Sequence, residues 1–280
     1  MMASFLGRTF RRSNSAKVGL VLTSMPVLMA IFAAWIAPFG PNDFAGGPYE
    51  GPSAAHLLGT DDIGHDLLSQ LIYGSRISLT VGLLSALIAT TIGVTIGMLA
   101  GYMGGYLDEV LMRLTDVTLT LPYIVLVIVL VAYLGPHIWN LILCIGILGW
   151  PTITRMVRSQ VLTLKTQLFV EAVVSLGASK RYVILKHILP NLIVLIIPIA
   201  VLTIVDGILT EAGLSFLGLG DLTVTSWGLM LYYAQVRGGF VKGAWYWILP
   251  PGLMITVTSL GLIFLSQFLD EIMNPKKLRR

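Results

Sequence analysis

The side chains able to do chemistry fall into three groups. Asp61, Asp62, His65 and Asp66 stand together, Asp206 and Glu211 interrupt an otherwise apolar stretch, and Glu171, Ser175, Ser179 and Lys180 share a segment with Ala172, Gly177 and Ala178. The first group has the oxygen donors a hard cation needs. Carboxylates this close are more often helix caps and solvated charges, so no metal site is expected and Asp61 and Asp62 are read as caps of a short helix. For the second group, a charge at the centre of a membrane helix costs about 2.5–3.5 kcal/mol on insertion scales. Asp206 and Glu211 are therefore candidate pathway residues, although a group facing a water-filled cavity or the outer mouth would look the same. Five residues apart, they point about 140° away from each other on a helix, which does not make one site of them.

Much familiar chemistry is missing. Gly is never followed by Lys, so there is no phosphate-binding Gly-x-x-x-x-Gly-Lys loop, and neither a His-Glu-x-x-His pattern nor a Gly-x-Ser-x-Gly elbow occurs. His56, His65, His137 and His187 are dispersed, and Cys144 is the single cysteine. No enzyme active site is expected, no cofactor is expected on this chain, and any ATP and Mg would be held by partner subunits. Cys144 reads as a small buried hydrophobe.

The elements that carry these residues follow from hydropathy. With 56% hydrophobic and 11% charged residues, and a mean hydropathy of +0.85, the chain is too apolar for an ordinary soluble domain. Uncharged runs cover Val18 to Asn42, Ile77 to Leu107, Val117 to Thr154, His187 to Val205 and Gly243 to Leu269. A spanning helix needs about 20 apolar residues. The third run is nearly twice that and is broken at Gly135, Pro136 and His137, so an all-α bundle of six transmembrane helices is expected. Strands of a membrane barrel would be about ten alternating residues long, unlike these runs.

The basic residues orient the bundle. With both termini cytoplasmic, fifteen of the 18 Lys and Arg fall inside: Arg8, Arg11, Arg12, Lys17, Arg113, Arg155, Arg158, Lys165, Lys180, Arg181, Lys186, Lys276, Lys277, Arg279 and Arg280. Only Arg76, Arg237 and Lys242 fall outside, which is the positive-inside bias. The net charge of +4 thus reflects topology, and no nucleic-acid partner is expected. The basic start before Val18 could precede a cleaved signal, but the apolar run exceeds a signal core and is read as an anchor.

The expected division is a tail over 1–17, a first helix over 18–39, an outer segment over 40–75, helices near 77–101, 117–134, 138–154, 190–212 and 244–268, and a tail over 270–280. Leu67, Leu68, Leu71 and Ile72 suggest an amphipathic lead-in to the second helix. The inner loop over 166–189 reads as helix, Gly turn, helix: Thr166 caps the first, Gly177 ends it and Ser179 caps the second. Ordering so regular a loop costs entropy, which implies contact with another chain.

EAVVSLGASKRYVILKHILPN, from Glu171 to Asn191, resembles the EAA motif of binding-protein-dependent ABC importer permeases. Glu171, Ala172, Gly177, Leu189 and Pro190 match it, while Val173 stands for the third-position Ala and His187 for an Ile. LGTDDIGHDLLSQLIYGSRISL from Leu58, the stretch from Gly101 through GGYLDEVLMRLTD and EAGLSFLGLG from Glu211 resemble the dipeptide, oligopeptide and nickel subgroup, with His65 where that subgroup commonly carries Arg.

The resemblance implies a type I ABC permease fold, with 76–269 as its core domain, in the cell membrane of a prokaryote. It implies that Glu171, Ala172, Ser175, Gly177, Ala178, Ser179 and Lys180 couple to an ATPase. Implied partners are a second homologous permease, two ATPase subunits and an extracytoplasmic solute-binding protein. Peptides are the expected solute, with nickel complexes or oligosaccharides as alternatives. A secondary transporter, lacking a visible inverted repeat here, and a non-transporting scaffold are the rival readings.

Overall fold

The computed structural model describes residues 13–273, and among them there is no strand, only two isolated bridges, Phe44 to His65 and Thr60 to Asp66. The basic clusters expected in the tails over 1–12 and 274–280 lie outside the described residues. The helices are α1 (Asn14–Ile36), α2 (Leu67–Met103), α3 (Gly105–Thr120), α4 (Tyr123–Leu134), α5 (Ile138–Leu148) and α6 (Trp150–Lys165). They continue with α7 (Leu168–Ser175), α8 (Lys180–Val183), a π-helical turn (Ile184–Ile188), α9 (Leu189–Phe216), α10 (Trp227–Val236) and α11 (Trp245–Met273). Among the described residues, five helical stretches are long and apolar enough to cross a membrane, and the bent pair of α3 with α4 brings them to six if it counts as one span.

The pair bends by 83°. The run over 117–134, expected as one span, is therefore broken near its start. Pro122 has no N–H to donate, and its ring forces Leu121 into extended backbone (φ −88, ψ 136), which ends α3. The break expected at Gly135 is present: Gly135 closes α4 with φ +93, and the His137 side chain caps α5 by accepting the Trp139 N–H.

At the centre lies α2, whose buried face is built from small residues. A Cβ added at Gly93 would stand 2.7 Å from Ile153 Cβ, at Gly97 2.7 Å from the Thr154 carbonyl, and at Gly101 2.8 Å from Val161 Cβ. This four-residue repeat lets the backbones of α2 and α6 touch, the usual way for helices to gain van der Waals contact where lipid supplies no hydrophobic drive. Higher on α2, Gly82 takes Ile208 and Ile204 of α9. α1 closes on α11 where Gly19 and Gly261 face the opposing helix.

The cap of α2 differs from the expectation. Asp66 caps it, accepting from the N–H of Ser69 at 2.8 Å and its hydroxyl at 2.7 Å, and the lead-in is the first turns of α2 itself. Asp61 instead folds the preceding turn, accepting from the N–H groups of Ile63 and His65, from His65 Nδ1 at 3.0 Å and from Gln70 at 2.9 Å. Asp62 pairs with Arg237 at 3.0 Å, which joins the segment before α2 to the end of α10. Tyr49 strengthens that join by donating to the Arg237 carbonyl.

Candidate functional site

The segment between α6 and α9 is a small protrusion on a firm base. Val170 and Val183 are buried with Val157, Val161 and Tyr102, so one apolar residue from each short helix anchors it. α6, which delivers it, is tied to α3 by the fork of Arg158 on Asp108 at 2.6 and 2.7 Å and by Arg155 on Asp116 at 2.5 Å. Lys165, at the end of α6, donates to the Tyr102 carbonyl at 3.0 Å. Arg155, Arg158 and Lys165 are thus spent on holding this base.

Local chemistry then shapes the tip. Gln167, not Thr166, occupies the N-cap position of α7; the Thr166 hydroxyl turns back to the Thr163 carbonyl and finishes α6. At the other end the Ala178 N–H reaches the Val173 carbonyl at 3.3 Å and the Gly177 N–H the Val174 carbonyl at 2.9 Å. This pair of bonds, with Gly177 at φ +82, is a Schellman C-cap. The Ser179 side chain accepts the Tyr182 N–H at 3.3 Å and starts α8.

Of the residues singled out in the sequence, Glu171, Ala172, Ser175, Gly177, Ser179 and Lys180 are exposed and Ala178 is half-buried. Glu171 lies in the first turn of α7, where its charge suits the helix dipole, and its carboxylate has no partner among the described residues. Sequence reading passed over Leu168 and Leu176, which are 83% and 87% exposed, and Phe169 beside them. Their apolar character was visible, but periodicity does not tell which face of so short a helix meets the core. The protrusion presents an apolar knob beside one carboxylate that has no partner among the described residues.

Asp206 and Glu211 part company. Glu211 is buried, receiving the hydroxyls of Ser215 and Ser226 at 2.7 Å each and of Ser78 at 3.2 Å. It ties α2, α9 and the start of α10 together. Asp206 instead lines a cavity of about 660 Å³, walled by α2, α5, α6, α9 and the α3–α4 break.

Outside the membrane helices, Asp221 caps the approach to α5. Its oxygens accept from the Ile138 N–H at 3.0 Å and from the Thr223 N–H at 2.9 Å and hydroxyl at 2.6 Å. Burial alone would push its carboxyl up, but those donors, helped by the charge of His137, hold it below the usual carboxylate range.

Residues 93–279 match the family described as the binding-protein-dependent transport system inner membrane component. The chain belongs to this family. Its first part, residues 6–53, also matches the N-terminal TM domain of oligopeptide transport permease C. Among relatives of this binding-protein-dependent transport family, the dipeptide transport system permease protein DppC of Escherichia coli K12 is 43% identical, covering 95% of this chain and 91% of its own. The di/tripeptide transport system permease protein DppC of Pseudomonas aeruginosa is 36% identical, covering 96% and 90%. An inward-facing structure of the MetNI methionine ABC transporter matches with a TM-score of 0.58 at 20% identity, covering 75% of this chain and 97% of that one. The fold is thus that of a type I ABC importer permease, and the chain is a permease subunit and a multi-pass membrane protein.

Proposed function

We propose that the chain forms one half of the membrane pathway of an ATP-driven peptide importer, with both termini cytoplasmic. It pairs with a second homologous permease, receives solute from an extracytoplasmic binding protein, and docks on one of two ATPase subunits that hold ATP and Mg. The peptide reading rests on what the relatives are named to carry.

The observation that carries the docking is the protrusion: Leu168, Phe169 and Leu176 exposed on a rigid base, with Glu171 free beside them. Ala172 allows close approach, Gly177 makes the sharp exit, and Ser175, Ala178, Ser179 and Lys180 form the rim. Closure of the two ATPases on ATP moves the protrusion as a rigid body with α6, and the permease halves rock between inward and outward access.

The test is reconstitution with the partner subunits. Glu171→Lys and Gly177→Pro are expected to insert normally and to lose both solute uptake and solute-stimulated ATP hydrolysis. Full coupling with the ATPase retained by both variants would end the docking proposal.

A further inference from the structure

We infer that the cavity at Asp206 is a cation-receiving station on the solute path, and that Asp206 takes the ammonium group of the solute. On the peptide reading above, on which this part rests, that group is the free α-amino group.

Position comes first. Thr203, Asp206 and Thr210 recur at helical spacing on one face of α9, and all three line the cavity. Asp206 stands ten residues before the end of α9, roughly 15 Å of helix from its outer terminus. The opposite wall is the α3–α4 break, where Thr118, Pro122 and Tyr123 face the cavity, and Asp206 lies within electrostatic range of the Tyr123 hydroxyl.

Charge comes second. Among the described residues, Asp206 is the sole charged side chain lining the cavity, and it makes no hydrogen bond or ion pair there. A carboxylate in a spanning helix is costly unless something answers it. Glu211, five residues on, is answered by three serine hydroxyls. Asp206 has no such partner among the described residues and is exposed to the cavity, so its charge is open to a cation that enters there. A space of about 660 Å³ is within the range that holds small organic ligands. Its hydroxyls and mostly apolar walls suit a short peptide, whose variable side chains need no specific polar partner.

One test uses the full complex in proteoliposomes, with Cys144→Ser as background and Thr203→Cys as reporter. A small cationic thiosulfonate reagent is expected to label Thr203→Cys about tenfold faster than an anionic one of similar size, and Asp206→Asn is expected to remove that preference. Equal rates before the change, or no labelling by either reagent because the second permease fills the cavity, would overturn the station. A second test measures uptake of dialanine: Asp206→Asn is expected to lower it about tenfold and Asp206→Glu to restore most of it, with complex assembly unchanged. Unchanged uptake in Asp206→Asn would also overturn the inference. If the labelling preference holds but wild-type complex moves no peptide, the peptide reading fails and the cation station stands.

Discussion

The hydroxyl of Ser226 donates to Glu211 Oε1 at 2.7 Å while its oxygen accepts the Leu229 N–H at 3.1 Å, so one serine caps α10 and binds a buried carboxylate of α9. Ser78 of α2 does similar double duty, donating to Glu211 and accepting the Trp227 N–H at 3.2 Å. Trp227, fully buried, adds a bond from its indole to the Leu71 carbonyl at 3.0 Å. Three helices are joined through one carboxylate.

Glu211→Leu strands three hydroxyls in an apolar interior and is expected to cost about 2–4 kcal/mol. Glu211→Gln, which keeps one acceptor oxygen, is expected to cost less. Thermal unfolding of the detergent-solubilised protein measures both, and a Leu variant as stable as the parent would contradict this role.

Gly97→Ala places a methyl group 2.7 Å from the Thr154 carbonyl and must push α6 away from α2. A loss of about 1–3 kcal/mol is expected. Gly213→Ala in α9 meets no atom within 4 Å and should be neutral or stabilising by up to about 1 kcal/mol. The same unfolding measurement compares them.

Replacing Leu168 and Leu176 by Ser should leave the stability of the isolated subunit within about 0.5 kcal/mol, because both side chains already face solvent. On the docking proposal each should weaken binding to the ATPase about tenfold. Titration of purified ATPase onto permease in nanodiscs reads this out; unchanged affinity would remove these leucines from the interface.

Asp221 should make the link between α9 and α10, and its tie to the start of α5, sensitive to acid. Its carboxyl sits below the ordinary 3.8, so the stability it lends is fully present above that value and is lost as pH falls through the lower folded value. Asp221→Asn is expected to cost about 1–3 kcal/mol at pH 7, and the gap should narrow below about pH 4. Hydrogen exchange at the Ile138 and Thr223 amides across that range follows it.

The helical type of the spanning elements and their approximate number were legible in the sequence because bilayer thickness sets a length that every crossing must meet. The break at Gly135 and the ends of α7 and α8 at Gly177 and Ser179 were legible for a related reason: caps are made between residues a few positions apart. Pro122 carried the same local signal, but it lay inside an uncharged run long enough to be read as continuous helix.

What only the tertiary structure decided involves distant partners. Whether Asp61, Asp62 or Asp66 caps α2 depends on Gln70 and on Arg237, 175 residues from Asp62. Asp206 and Glu211 look alike in sequence, two carboxylates in one apolar helix. Ser78, 133 residues from Glu211, and Ser226, 15 residues from it, turn one into a structural tie, whereas α3 and α4 fold back to leave the other facing an open cavity. Sequence determines which side chains carry charge into the membrane; packing decides which of those charges is satisfied within the chain and which is left to meet something else.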